Sequence, residues 1–439
     1  MTMRLFSLGI ALLIAALSGL APEAKTIPPP QSEAEARGLM KITADQHILP
    51  PGAKPEMLER LLELGEVIIY YDHPPMVPWM SAAGILVRAP VEEVYNVILD
   101  QAHYPQFVPM TEGINAKKLF DGFYLEDLHV NVKFSFVKYR MDYGLYSYRR
   151  PPTRLDWSLA WGDFEINVGF WELIPTPDGQ KTMAFYSIYS VPSSSFFKTI
   201  YKSNPAMEML TNVSTATMIV QAIRNEAEKR RGLQRLPGRA TPMVGVQKIL
   251  DSDPQTLLLF LERGNMVILE DGPTVYSLVG GMVNVPAQEV YSVITDFKSY
   301  PQFVPGVKRV EEIPPATGHF YNWELQSSIA FLKYEQTQQW YYEFTPPFFV
   351  WWEISRPCCG PVPGFWKIIP AQGKTLFFNG TTADLRSLGR IPRYALEVEP
   401  TLEYATLTSQ AVLVMNAMKK RIQAQTQSQS KTSPKKELK

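Results

Sequence analysis

Residues 90–109 read PVEEVYNVILDQAHYPQFVP, and residues 286–305 read PAQEVYSVITDFKSYPQFVP. Thirteen of these twenty positions are identical at a constant offset of 196, which makes the chain a tandem duplication. The echo extends upstream, where Pro55, Leu58, Leu62, Glu63, Gly65, Ile69 and Asp72 return as Pro254, Leu257, Leu261, Glu262, Gly264, Ile268 and Asp271. It extends downstream too: Pro151, Pro152, Trp157, Gly169, Phe170, Trp171, Ile174 and Pro175 return as Pro346, Pro347, Trp352, Gly364, Phe365, Trp366, Ile369 and Pro370. The repeating unit is therefore of domain size, large enough for its own core, and not a short solenoid repeat.

Within each copy the periodicity changes along the chain. Val91, Val94, Tyr95 and Ile98 fall at helical spacing behind Pro90, as do Val290, Tyr291 and Ile294 behind Pro286. Asp100 and Asp296 stop these helices and are placed to cap a short second helix that ends near the Tyr-Pro pair. From Leu128 to Val191 the pattern switches to period two, with Val130, Val132, Phe134 and Phe136 alternating with polar residues, and turn signals at Pro151-Pro152 and Asp178-Gly179. That is a meander of antiparallel strands. A long amphipathic helix closes each copy, through Met209, Val213, Ala216, Val220, Ile223 and Ala227 and then Tyr404, Ala411, Met415, Met418 and Ile422. A sheet with such a helix laid across one face encloses apolar volume, which side chains fill or a ligand occupies.

Composition bounds the function. Lys plus Arg and Asp plus Glu stand at 43 each, so no net field draws in nucleic acid. Basic runs at Lys229, Arg230, Arg231, Arg235 and Arg239, and at Lys419, Lys420 and Arg421, suit the carboxyl ends of helices; their other use is transient contact with anionic lipid. Residues 1–21, with Arg4 ahead of an uncharged run ending in small residues, have the layout of a secretory signal peptide; an uncleaved anchor is the alternative. The protein is thus expected to be exported, and periplasmic if its source is a Gram-negative bacterium. Residues 22–54 read as a Pro-rich tether, 55–232 as the first domain, 233–253 as a linker, 254–424 as the second domain and 425–439 as a disordered tail.

The two cysteines, Cys358 and Cys359, are adjacent and have Asp163 and Phe164 at the matching places of the first copy, which favours an unremarkable loop pair or a strained disulfide over metal or redox chemistry. The five histidines show no metal-ligand spacing and do not match between copies, and no Gly-rich phosphate loop stands out. No catalytic residue, metal or cofactor is expected.

The element order, the YPQFVP segments, the FVKYR and FLKYE strands at Phe136 and Phe331, and the GFWELIP and GFWKIIP strands together resemble the START-like helix-grip superfamily. The branch they are most similar to is the polyketide cyclase and coenzyme Q-binding type, over roughly Glu66–Arg231 and Asn265–Arg421. The resemblance implies an α+β fold of two tandem helix-grip domains, each a curved antiparallel sheet wrapped around its last helix. It also implies a hydrophobic guest, a lipid, sterol, quinone or polyketide, held between sheet and helix. Carried over by position, the first pocket would be lined by Phe134, Phe136, Trp157, Trp171 and Tyr186 and closed by Val213, Ala216 and Val220. The second would be lined by Phe331, Trp340, Trp352, Trp366 and Phe377 and closed by Ala411 and Met415. Two further functions are compatible with the same residues: a cyclase- or aromatase-like enzyme acting on a hydrophobic substrate, and a module that docks onto another envelope protein.

Overall fold

The computed structural model describes residues 25–72, 77–134, 137–203, 206–234, 243–270, 276–329, 332–356, 362–382, 393 and 401–432. The proposed signal segment, the Cys358-Cys359 pair, Phe136 and Phe331 lie outside them. By contact the chain divides into two compact units, Met1–Ile48 with His73–Arg235, and Leu49–Asp72 with Leu236–Lys439.

In chain order the first elements are β1 (Lys25–Thr26), α1 (Glu33–Leu39), α2 (Pro55–Leu62) and β2 (Gly65–Asp72). The first unit continues with β3 (Trp79–Val87), α3 (Val91–Leu99), α4 (Tyr104–Phe107), β4 (Thr111–Phe120), β5 (Phe123–Phe134) and β6 (Val137–Arg150). Then come β7 (Arg154–Gly162), β8 (Phe164–Pro175), β9 (Thr182–Pro192), α5 (Ser195–Ser203) and α6 (Ala206–Arg230). Strands β4 to β9 pair each with the next, all antiparallel, and β9 pairs back onto β3. Helix α6 packs against β3 and β9. Val213, Ala216, Thr217, Val220 and Ile223, at helical spacing along it, are all fully buried.

The second unit repeats this plan. After α7 (Met243–Ser252) and α8 (Pro254–Leu261) follow β10 (Met266–Glu270), β11 (Tyr276–Val283), α9 (Ala287–Thr295), β12 (Val307–Glu312), β13 (Phe320–Ile329) and β14 (Leu332–Thr345). They are followed by β15 (Phe349–Arg356), β16 (Val362–Ala371), β17 (Lys374–Thr382) and α10 (Thr401–Thr432). The antiparallel order is β12-β13-β14-β15-β16-β17-β11-β10. Both sheets carry a bulge at the same place: Ala160 is skipped between β6 and β7, and Ser355 between β14 and β15. One extra residue bends a strand and sharpens its twist, so the duplicated bulge gives both sheets the same bend.

Four boundary expectations differ from the structure. Residues 25–48 are no tether: β1 pairs with β7, Tyr146 donates to the Ile27 carbonyl at 3.0 Å, and Arg154 donates to the carbonyls of Thr43 and Gln46, both at 2.7 Å. Ala36 and Met40 of this strap bury against Phe123, Tyr146 and Ala160, an apolar gain that a Pro-rich composition does not advertise. Residues 55–72, expected to open the first domain, belong to the second unit, together with 49–54 of the expected tether. There β2 lies antiparallel to β10, with Ile68 opposite Val267, and Lys54 pairs with Asp253 at 3.2 Å. Part of the expected linker is helix α7. The expected tail is helical as far as Thr432, since Gln and Lys tolerate a helix and neither Gly nor Pro intervenes.

Asp100 and Asp296 stand at the start of the short second turn, but neither side chain makes a capping hydrogen bond. Asp100 instead accepts from His103 at 2.5 Å and from Arg230 at 2.6 Å, tying the last turn of α6 to the turn after α3. An arginine fork is a stronger donor to a carboxylate than a backbone amide, and it takes the side chain.

Candidate functional site

The helix-facing side of each sheet follows from register, because side chains alternate across a strand. In the first unit Leu145 lies opposite Glu126 and Leu159, Ser147 opposite Tyr124 and Trp157, Trp157 opposite Gly169, Trp171 opposite Tyr186, and Tyr186 opposite Ala83. Trp157, Trp171 and Tyr186 therefore share one face. Their rings touch: Trp157 stacks on Tyr186 at 4.8 Å between centroids, and Trp171 meets the same ring edge-on at 5.0 Å. Gly169 makes this possible, since a Cβ there would stand 2.2 Å from the Trp157 ring and 2.2 Å from the Ser187 carbonyl oxygen. The Trp157 indole N–H donates to Asn167 at 3.1 Å. Phe134 sits at the end of β5, paired with Val137.

The interior of this unit holds phenols as well as indoles. Burial holds the Tyr186 and Tyr143 hydroxyls well above the usual tyrosine range, yet both side chains are only half-buried by accessible area. Tyr95 on α3, pushed up to about 12 chiefly by burial, and Tyr104 on α4, raised further still, complete the phenol set; Tyr104 donates to the Ile98 carbonyl at 2.7 Å.

Beside them is a cluster that the sequence patterning did not single out. Glu126 is 4% exposed and accepts from Ser147 at 2.7 Å and from Arg149 at 2.9 Å. Arg149 also donates to Gln101 at 3.1 Å and lies over the Tyr124 ring at 3.7 Å. Its Nε–H is buried with no hydrogen-bond partner among the described residues. The signal was available: Glu126 falls at a period-two position between Tyr124 and Leu128, on the parity of the inward residues. A charge on a strand reads as solvent face unless the register is known.

In the second unit the same construction recurs with different chemistry. Tyr342 lies opposite Trp352, Trp352 opposite Gly364, Trp366 opposite Val350 and Asn379, and Phe377 opposite Gly281, so Trp340, Trp352, Trp366 and Phe377 share a face. Trp340 stacks on Trp352 at 4.5 Å and on Trp323 at 4.8 Å, and Trp366 on Phe377 at 6.3 Å. At Gly281 a Cβ would come within 2.5 Å of the Met415 sulfur, so the glycine lets α10 settle on β11. Ala411 and Met415 are buried there. Asn379, not Phe377, is the residue across from Trp366 and so takes the place that Tyr186 has beside Trp171.

Among the described residues no group of three or more His, Cys, Asp or Glu could hold a metal, and no helix is long and apolar enough to cross a membrane. His103 and His129 pair with Asp100 and Asp142, and His47 with Glu172.

The family described as polyketide cyclase / dehydrase and lipid transport matches residues 87–206 and 283–357, one stretch in each repeat. Each of the two repeats thus carries a stretch similar to this family, on a mixed α+β fold built twice from a curved antiparallel sheet and a long closing helix. Among solved structures it is similar to the di-domain ARO/CYC StfQ of the steffimycin biosynthetic pathway, at 12% identity and a TM-score of 0.26, over 76% of this chain and 98% of that one. A STAR-related lipid transfer protein fragment from Xanthomonas axonopodis is similar at 14% identity and a TM-score of 0.29, over 37% of this chain and 93% of its own. A START superfamily protein from Mycobacterium smegmatis matches at 12% identity and a TM-score of 0.25, over 34% of this chain and 98% of its own. No curated protein matches the chain.

Proposed function

We propose that this protein binds and carries a hydrophobic small molecule or lipid between the aromatic face of a sheet and its long helix, without covalent chemistry. The observation that carries the reading is the pair Tyr143 and Tyr186, both retaining accessible surface within their unit, with the Tyr186 ring against Trp157 and Trp171 and the Tyr143 ring against Phe164. The family description, which includes lipid transport, supports the same class of guest. Burying ~300 Å² of apolar ligand surface would contribute ~7 kcal/mol before ordering costs, enough for a useful carrier. The leader-like residues 1–21 support export, with the carrier working across an aqueous gap.

Uptake of an uncharged apolar dye by the purified protein tests the reading. Trp171→Asp and Trp366→Asp should each reduce dye uptake by their own unit, in chains whose far-ultraviolet spectra are unchanged. Unaltered dye binding by the folded double variant overturns the pocket; steady turnover of a polyketide-like substrate, lost with Glu126→Gln, would instead make the protein an enzyme.

A further inference from the structure

The two interiors differ at one set of matched positions. Gln101, Tyr124, Glu126, Ser147 and Arg149 correspond, by sequence offset and by strand register, to Phe297, His319, Tyr321, Tyr342 and Phe344. In the first unit these residues form the buried Glu126–Arg149 pair with its Ser147 and Gln101 bonds. In the second they form an aromatic cluster. Phe297 stacks on Tyr342 at 4.2 Å and meets Tyr321 edge-on at 5.1 Å, while Phe344 lies 6.1 Å from Tyr342 and 5.8 Å from His319. Tyr342 is 2% exposed and Phe297 2%, so the centre of this cluster is buried, while His319 and Phe344 at its rim keep accessible surface.

The comparison removes the structural explanation for the ion pair. The second unit shows that the same strands, bulge and helix close over aromatic rings at these positions. Replacing a buried ion pair by packed apolar groups is often neutral or stabilising, so stability alone does not account for keeping it. What the pair adds is a donor and an acceptor on the face that carries Trp157: Ser147, bonded to Glu126, lies directly across from Trp157, and Arg149 keeps an Nε–H without a described partner. Glu126 offsets the guanidinium charge, so the site suits a neutral group that both accepts and donates, a hydroxyl, better than a carboxylate.

We infer that the two units are not equivalent: an apolar chain or ring system bearing a terminal hydroxyl is held once per molecule, in the first unit, with its head group at Arg149 and Glu126. This rests on the carrier reading above. At the matched positions the second unit carries aromatic rings and neither a carboxylate nor a guanidinium for such a head.

The test compares a pyrene-labelled fatty alcohol with the pyrene-labelled alkane of equal length, using the full chain, native mass spectrometry for stoichiometry and fluorescence for affinity. One alcohol per chain is expected, bound about tenfold or more tightly than the alkane, the scale of a hydrogen bond to a charged group. Glu126→Gln and Arg149→Met should erase the preference for alcohol while the alkane still binds. Gln101→Phe, which places in the first unit the ring that the second carries, should abolish alcohol binding, whereas Phe344→Leu should leave it unchanged. Two alcohols per chain, or a preference that survives both Glu126→Gln and Arg149→Met, overturns the assignment and leaves the carrier reading standing. Failure of the chain to bind either probe overturns both.

Discussion

Gly169 and Gly364 are the residues on which the aromatic layers depend. Each faces a tryptophan across a strand pair, and the added Cβ at Gly169 would meet backbone, the Ser187 carbonyl, which cannot move aside as a side chain could. Gly169→Ala should destabilise the first unit by about 1–3 kcal/mol, as overpacking does, and should disturb the Trp157–Tyr186 stack; chemical denaturation with tryptophan emission would show both. Asp100 supports a second expectation. Its hydrogen bond from His103, with that from Arg230, holds its carboxyl below the usual carboxylate range. A depressed folded-state value contributes stability above the unfolded pKa and loses it as pH falls through the folded one. Asp100→Asn should therefore cost up to about 1 kcal/mol near neutral pH and nothing measurable once the carboxyl is protonated in the folded chain too, a convergence that stability curves in neutral and strongly acidic solution would reveal. At this scale the sequence was legible where chemistry and periodicity agree. Trp157, Trp171, Trp352 and Trp366 showed themselves as alternating apolar residues. Glu126 and Arg149 did not, because their burial is decided by partners on other strands.

Elements were easier to read than their company. The repeated helix-to-strand switch foretold α3, the meander and α6, since each has a hydrophobic period of its own. Strand β4 escaped, as most of its side chains are at least partly exposed and its pattern has no apolar face. The strap 25–48 escaped for a different reason: what orders it is supplied by β7 and β8. Arg154, 5% exposed, is held by Asp156 at 2.8 Å and by two strap carbonyls, and Glu172 accepts from the Ile48 amide at 2.8 Å. Likewise α2 and β2 were recognised as elements and assigned to the wrong unit, because a repeat reveals what is homologous and not what is adjacent. Strand β10 depends on β2 for one edge. A chain truncated to begin at Pro254 should leave Met266–Glu270 unpaired along that edge and self-associate, whereas one that retains residues 49–72 by fusion should sediment as a monomer; a monomeric truncated chain would contradict the pairing.

For the molecule as a whole, duplication supplied two copies of one scaffold, and the interiors then diverged while the scaffold did not. Bulges at Ala160 and Ser355, glycines at Gly169 and Gly364, and the Tyr104 and Tyr300 hydroxyls that donate to the carbonyls of Ile98 and Ile294 are shared features of the scaffold. Such a division lets one copy keep a task while its sister is free to drift toward an aromatic filling. The path of the chain adds a constraint of timing. Gly65–Asp72 leaves the ribosome before any of β3 to α6, yet its partner Met266–Glu270 emerges about 190 residues later. At roughly 5–20 residues per second this is a wait of roughly 10–40 s, during which a strand rich in Ile, Val and Tyr has no mate. Synthesis in this order makes the early segment a client for whatever holds nascent chains open, at least until Met266–Glu270 emerges to pair with it.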